Sequence, residues 1–257
     1  MSYWVIHRMK QLHEELKVNF HAFEMQLKKS LADSLSQLDI NQKQYYASYQ
    51  RLASIETWRA YLLEHSLDKG SLGFYLEAQN DALLSHAFAR IGSWRAALKS
   101  LRCSIENIVF CMYYKDHPVE YQLWEQGKNS LPISEYFNYL EKHPAYEAKP
   151  KWLTGIELLK KEYSTLSKAV HGSSKSFRMT TTPHTFPSLF VPETVKLNQW
   201  VAREKIAIQL INQLLLTMYY DKLQGAKLTN VRKVISLTIP EKLHEDIKKQ
   251  FGVRLFK

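Results

Sequence analysis

The segment 163–174 ends a predicted helix with a histidine in a position suited to proton transfer. The apolar residues of this helix recur in steps of four, three and four, the spacing of a buried face: Leu159, Tyr163, Leu166 and Val170. His171 follows them directly and precedes Gly172, a residue type that commonly ends helices. An imidazole can accept or donate a proton near neutral pH, so His171 is a candidate general acid or base. The alternative is that His171 only caps the helix by bonding its last carbonyls.

Arg102 and Glu106 carry charge within a second apolar helix, predicted over 93–115. They are four residues apart, so they can pair along one helix face. Their neighbours are core residues rather than charges, so the pair is either an internal salt bridge or part of a polar site. If the two helices are antiparallel neighbours, the arginine and the histidine converge on one cleft. We therefore expect Arg102, Glu106 and His171 to share one polar pocket, with Lys168 at its rim.

Two motifs resemble those of a known family. Leu-Arg-x-Ser-x-Glu-Asn occupies 101–107, and Leu-Ser-Lys-x-Val-His-Gly-Ser occupies 166–173. Together with a Tyr-Tyr pair at 113–114, they are similar to motifs of the HEPN-type helical domains of prokaryotic abortive-infection and defence systems. The similarity covers 93–125 and 155–222. Many members of that superfamily are metal-independent endoribonucleases that act as dimers.

The family signature is an arginine, four to six intervening residues and a histidine. His171 matches the histidine, but the arginine window at 164–166 holds Ser, Thr and Leu. Either Arg102 or Lys168 then supplies the cation from another position, or the chain is not a nuclease.

The resemblance implies RNA cleavage without a metal ion. That reaction needs a base for the 2′-hydroxyl, a cation for the charged phosphorane and an acid for the leaving oxygen. Histidine suits either proton role, and the planar fork of arginine suits the phosphate. One histidine is too few for both proton roles, unless His117 contributes or two chains share a site. We therefore expect a homodimer.

Nucleic-acid contacts are expected at Lys168 and in the Ser-, Thr- and Pro-rich segment 173–192, which contains Lys175 and Arg178. The first hypothesis is thus an antiviral-defence or toxin protein that cleaves RNA with Arg102, Glu106 and His171. The second is a non-catalytic helical module that binds a nucleic acid or a partner protein of a defence or toxin–antitoxin operon.

The composition favours an anionic partner. Lys and Arg exceed Asp and Glu by ten in 257 residues, which points to nucleic acid before membrane, or else to a basic surface that binds nothing. Hydrophobic residues make up 45% of the chain, enough for a substantial core, whereas only eight glycines argue against a strand-rich fold.

Metal, cofactor and membrane binding are not expected. The histidines are scattered, there is no Cys-x-x-Cys motif, and no Gly-rich phosphate loop is present. Cys103 and Cys111 lie eight residues apart on one predicted helix, about 12 Å, too far for a disulfide. Reduced thiols and the absence of a long uninterrupted apolar segment indicate a cytoplasmic protein.

The predicted architecture is an all-α, HEPN-like bundle with a long N-terminal helical hairpin and a small C-terminal strand–helix appendage. The expected divisions are 1–68, 74–225 and 228–257. Apolar residues recur every three or four positions through 4–38, so this segment reads as one amphipathic helix. We expect it to pack antiparallel on the next helix, or to mediate dimerisation. Alternating Ile235, Leu237 and Ile239 predict a strand near 233–239, and a helix is expected from Pro240 to about 251.

Overall fold

A computed structural model describes residues 3–36, 38–128, 130–171, 190, 193–225 and 228–256, with side chains from residue 11 onward. Within these ranges every regular element is a helix, which confirms the predicted all-α class. The helices are α1 (Tyr3–Ser36), α2 (Gln42–Trp58), α3 (Glu64–Ser66), α4 (Lys69–Arg90), α5 (Trp94–Tyr114), α6 (Pro118–Glu125), α7 (Ile133–Lys142), α8 (Pro144–Glu147), α9 (Lys151–Thr154), α10 (Ile156–Val170), α11 (Thr194–Leu223), α12 (Thr229–Ser236) and α13 (His244–Phe251). A π-helical turn, Arg59–Leu63, joins α2 to α3, and a 3₁₀ turn, Glu241–Leu243, precedes α13.

The core is a bundle of α2, α4, α5, α10 and α11. The apolar face of α5 is buried: Leu98, Leu101, Ile105, Ile108 and Met112. α4 and α5 form an antiparallel hairpin that turns at Gly92 and Ser93. Gly92 adopts φ 74°, a left-handed conformation that glycine tolerates best.

α10 runs antiparallel to both α5 and α11. Along α5, Tyr163 bonds Glu106, and Val170, nearer the end of α10, bonds Arg95, nearer the start of α5. Along α11, Gln213 donates to the Leu153 carbonyl, just before α10 begins. Nearer the start of α11, Arg203 pairs with Glu162, which lies further along α10. The C-terminus of α10 therefore lies at the end of the bundle where α5 and α11 begin.

A buried asparagine joins α11 to α2. Asn212 accepts a hydrogen bond from Trp58 Nε1 at 2.8 Å and donates through Nδ2 to Ser54 Oγ and to the Ile208 carbonyl, each at 2.8 Å. The asparagine, the indole and the serine are all fully buried. Since a buried polar group without a partner destabilises the folded state, this contact fixes the register of α2 on α11.

The predicted C-terminal strand is wrong. Residues 229–236 form α12, and Val231 and Ile235, four apart and fully buried, pack on the bundle. Leu237 is 63% exposed, and the backbone N–H groups of 237–239 donate to carbonyls of α12 rather than to a strand. The alternation of three apolar residues was misleading because no neighbouring strand in the described part of the chain pairs with them. The helix expected after Pro240 is present as α13.

α1 leaves the bundle instead of packing along α2 as expected. Every side chain from Gln11 to Phe23 is exposed. Contact with the bundle is made near the C-terminal end of α1, where Ser34 is fully buried and Arg90 of α4 donates to the Leu38 carbonyl at 3.5 Å. The long helix is therefore present as predicted, but the antiparallel hairpin is not.

We expect Asn212→Ala to lower the free energy of unfolding by about 2–4 kcal/mol, because it leaves a cavity and removes the acceptor of the buried Trp58 indole. Urea denaturation followed by circular dichroism measures the change. Asn198→Ala, at an exposed position of the same helix, is the control. Equal losses in the two variants would contradict the role given to the buried amide.

Candidate functional site

Arg102 lies at the centre of a polar cluster between α5 and α10. Its Nη1 donates to Glu106 Oε2 at 2.9 Å, its Nε donates to Ser167 Oγ at 2.9 Å, and its Nη2 donates to the Tyr163 hydroxyl. Tyr163 in turn donates to Glu106 Oε1 at 2.7 Å. The guanidinium carbon also lies 4.7 Å from the centroid of the Tyr163 ring. Three of the five N–H groups of Arg102 are thus engaged within the protein.

The cluster is built to hold two helices together. Arg102 and Glu106 are only 18% and 19% exposed in their side chains, so their charges are largely withdrawn from water and satisfied by each other. Burial, and then the hydrogen bond to Glu106, raise the pKa of Tyr163 to about 12, so the phenol keeps its proton at neutral pH. A protonated phenol can both accept from Arg102 and donate to Glu106, which closes the network.

His171 lies beyond this cluster at the surface. It follows Tyr163 and Ser167 at steps of four, so it continues the same face of α10. Its backbone N–H donates to the Ser167 carbonyl at 3.0 Å, and its imidazole is exposed. Within the described residues that imidazole makes no hydrogen bond, so the structure joins Arg102 to Glu106 but does not bond either of them to His171.

Lys168 is exposed on the last turn of α10, while the two other cations expected to grip nucleic acid, Lys175 and Arg178, lie outside the described residues. Arg95, which the sequence reasoning missed, donates from Nη2 to the Val170 carbonyl at 2.6 Å and caps the C-terminus of α10. Lys99 is exposed one turn further along α5. The sequence feature that could have indicated these residues is the i, i+4 spacing of Arg95 and Lys99 at the start of a predicted helix.

We call Arg95, Lys99, Lys168 and His171 the basic end of the bundle. No acidic residue occurs in 82–105 or in 163–171, the two segments that supply these side chains. α5 and α11 begin at this end while α4 and α10 end here, so the dipoles of these helices oppose one another. This end therefore attracts anions through the fixed charge of its side chains.

A second polar network lies deeper in the bundle, and the sequence reasoning missed it. Glu204 of α11 is 1% exposed and accepts hydrogen bonds from Arg51 through Nε, at 2.8 Å, and Nη2. Ser48 of α2 donates to Glu204 Oε1 at 3.2 Å, and its oxygen lies 3.0 Å from His86 Nδ1. When Glu204 is ionised it only accepts, so the one hydroxyl hydrogen goes to Glu204, and Nδ1 of His86 then carries the hydrogen donated to Ser48.

Burial shifts the two titratable groups of this network in opposite directions. It raises the pKa of Glu204 to about 7, although hydrogen bonding and charge from Arg51 oppose the shift. It lowers the pKa of His86 to about 4, and the positive charges of Arg90 and Arg51 add to that effect. Both shifts reflect the free-energy cost of placing charge in a dry interior. This network is therefore a structural element in which desolvation opposes the charged forms of Glu204 and His86.

No set of three or more His, Cys, Asp or Glu side chains is placed to hold a metal ion in the part of the chain that the structure describes. Among the described helices, none is long and apolar enough to cross a bilayer. Comparison with known protein families, with curated proteins and with solved structures finds no match to this chain.

The buried network predicts an unusual pH dependence of stability. The folded-state pKa of His86 lies below its ordinary 6.5, so its contribution to stability is lost as pH falls from about 6.5 to 4. The folded-state pKa of Glu204 lies above its ordinary 4.5, so its contribution is lost as pH rises from about 4.5 to 7. The two slopes oppose each other in the wild-type protein.

Each substitution should therefore expose the slope of the other group. Relative to wild type, stability should fall with rising pH in His86→Gln and rise with pH in Glu204→Gln, each over the window of the remaining group. Urea denaturation between pH 4 and 7.5 measures both, with His65→Gln, at an exposed histidine, as the control for losing an imidazole. Parallel curves for all four proteins would show that neither group is shifted.

Proposed function

We propose that the protein binds RNA through its basic end, as a non-catalytic helical module of a prokaryotic defence system. The observation that carries this proposal is the clustering of Arg95, Lys99, Lys168 and His171 at the bundle end where α5 begins, supplied by two segments without acidic residues. The choice of RNA over DNA, and the link to defence, rest on the resemblance of 101–107 and 166–173 to HEPN-type domains. A partner protein from the same operon and a cytoplasmic location belong to the same proposal.

Phosphate binding accounts for Lys99 better than structural need does, whereas Arg95 also caps the C-terminus of α10. Lys99 is exposed and makes no described ion pair, so removing its charge leaves the fold intact. Cations that neutralise phosphates release condensed counterions, which gives binding a steep salt dependence. Contacts to the phosphates of the RNA backbone contribute affinity but little sequence specificity. The bound RNA is therefore recognised mainly by charge and shape.

Metal-independent RNA cleavage is the second candidate, and the exposed imidazole of His171, one turn beyond the Arg102 cluster, favours it. The bonding of Arg102 argues against cleavage, because three of its N–H groups already bond Glu106, Tyr163 and Ser167. A guanidinium held in this way has two N–H groups left for a phosphate. With one histidine at the site, cleavage also requires a second proton carrier from a second chain, because His117 stacks on Tyr113 at the opposite end of α5.

We expect the double variant Arg95→Gln, Lys99→Gln to bind single-stranded RNA about 10-fold more weakly at low salt. The slope of log affinity against log salt should become shallower by about 1.4, since each lost phosphate contact removes about 0.7. Fluorescence anisotropy with a labelled oligonucleotide measures both quantities. Lys248→Gln, Lys249→Gln removes the same charge from the exposed face of α13 and is the matched control. Equal weakening in the two double variants would mean that binding follows net charge and not the basic end.

His171→Ala separates binding from cleavage. If the second candidate is correct, the wild-type protein cleaves single-stranded RNA in the presence of EDTA, and this variant abolishes cleavage. Its melting temperature should stay within about 1 °C of wild type, because the imidazole makes no described hydrogen bond. A stability loss of about 1 kcal/mol would instead support the capping role. Wild-type protein that binds RNA and leaves it intact rejects cleavage, and full activity in His171→Ala rejects this histidine as the catalyst.

A further inference from the structure

α1 exposes an apolar face that the described part of the chain leaves uncovered. Leu16 and Phe20 are 56% and 62% exposed, and Leu12, Phe23 and Leu31 are also exposed, while Leu27 is half-buried. These residues follow steps of four and three, so they share one side of the helix. A helix projecting into water with such a face is poorly stabilised on its own, because packing of the apolar side supplies most helical stability in proteins.

Between residues 12 and 31 the order of residues on this face is symmetric about the midpoint of the segment. In this segment the face is formed by Leu12, Leu16, Phe20, Phe23, Leu27 and Leu31. Their spacing is four, four, three, four and four, and the residue types read the same from either end. The midpoint lies between His21 and Ala22.

This symmetry is what an antiparallel pair of identical helices requires. In a two-fold interface the same patch serves both copies, so a residue and its opposite number must be complementary. Centred between His21 and Ala22, antiparallel pairing sets Leu12 opposite Leu31. It also sets Leu16 opposite Leu27, and Phe20 opposite Phe23. Each layer of the contact is then filled by a matched aliphatic or aromatic pair.

The charged residues of α1 support the same orientation. Glu14 and Glu15 lie in the N-terminal half of α1 and outside its apolar face, while Lys28 and Lys29 lie outside that face in the C-terminal half, at equal distances from the midpoint. Antiparallel pairing places the acidic pair of one copy level with the basic pair of the other, whereas parallel pairing aligns like charges. Antiparallel packing also opposes the two helix dipoles.

The apolar positions repeat every eleven residues, from Leu12 to Phe23, from Leu16 to Leu27 and from Phe20 to Leu31. A repeat of eleven corresponds to 3.67 residues per turn, close to the 3.6 of a straight helix. The two helices can therefore lie side by side over this length with little supercoiling.

We propose that α1 is a dimerisation arm, and that its occupant is the α1 of a second copy of this chain, packed antiparallel about the point between His21 and Ala22. The proposal does not depend on RNA binding. It assigns the interface to 12–31 and leaves the basic end outside it.

Phe20→Glu should weaken dimerisation about 100-fold or more, because each dimer loses two packed aromatic side chains and gains two charges in the contact. Sedimentation equilibrium on the full chain measures the dissociation constant. Val18→Glu is the matched control, since Val18 is 68% exposed on the opposite side of α1 and should leave the constant within about 3-fold. A monomeric wild-type protein, or equal weakening by both variants, would overturn the proposal. Circular dichroism checks that the bundle remains helical in each variant.

Disulfide trapping tests the orientation. In a Cys103→Ser background, Leu12→Cys protein mixed with Leu31→Cys protein should give covalent dimers on mild oxidation, whereas each variant alone should give few. The reason is distance, because antiparallel pairing separates the two copies of residue 12 by 19 residues, about 28 Å. Efficient crosslinking of Leu12→Cys protein with itself would show parallel packing and overturn the orientation.

Discussion

The fold depends on burying the polar groups of α11 in the middle of the bundle. From Leu210 to Thr217 this helix is buried on all sides, yet it carries Asn212 and Gln213 there and Glu204 two turns earlier. Each of these groups must find a partner, because a dry interior offers no water in exchange. Glu204 and Asn212 have their partners on α2, and Gln213 donates to the Leu153 carbonyl in α9. The positions of α2 and α9 therefore follow from the hydrogen-bonding needs of one helix.

Local patterns in the sequence predicted local structure well. The α4–α5 break and the Arg102–Glu106 pair were predictable because each involves residues within a few positions of one another. The partners across the bundle were not. Arg51 and Glu204 lie 153 residues apart, and nothing in the spacing of either residue indicates the other. The C-terminal strand failed because its alternation spanned three residues, and the helical spacing of Val231 and Ile235 determined the structure there.

The Arg102 cluster shows why a motif and a mechanism differ. Its residue types suit phosphate chemistry, but a catalytic cation needs donors directed at the substrate, and here three of the five N–H groups bond Glu106, Tyr163 and Ser167. The same bonds fasten α10 to α5 and so fix the helix end that carries Lys168 and His171. In this protein the cluster holds a charged surface in position. A sequence motif alone does not distinguish this structural role from an active site.

Because α1 leaves the bundle, a dimer formed through α1 would hold its two bundles far apart. α1 is rooted beside Arg90, at the same bundle end as Arg95. Two copies paired antiparallel through α1 would hold the C-terminal ends of their two α1 helices roughly 40 Å apart, since twenty-nine helical residues separate these ends. No single pocket could then be composed of both copies. One flexible RNA strand could instead bridge the two ends, and the second contact would form at a high effective concentration set by the rigid span. The length of α1 would thus set the minimum length of a ligand that can contact both copies at once.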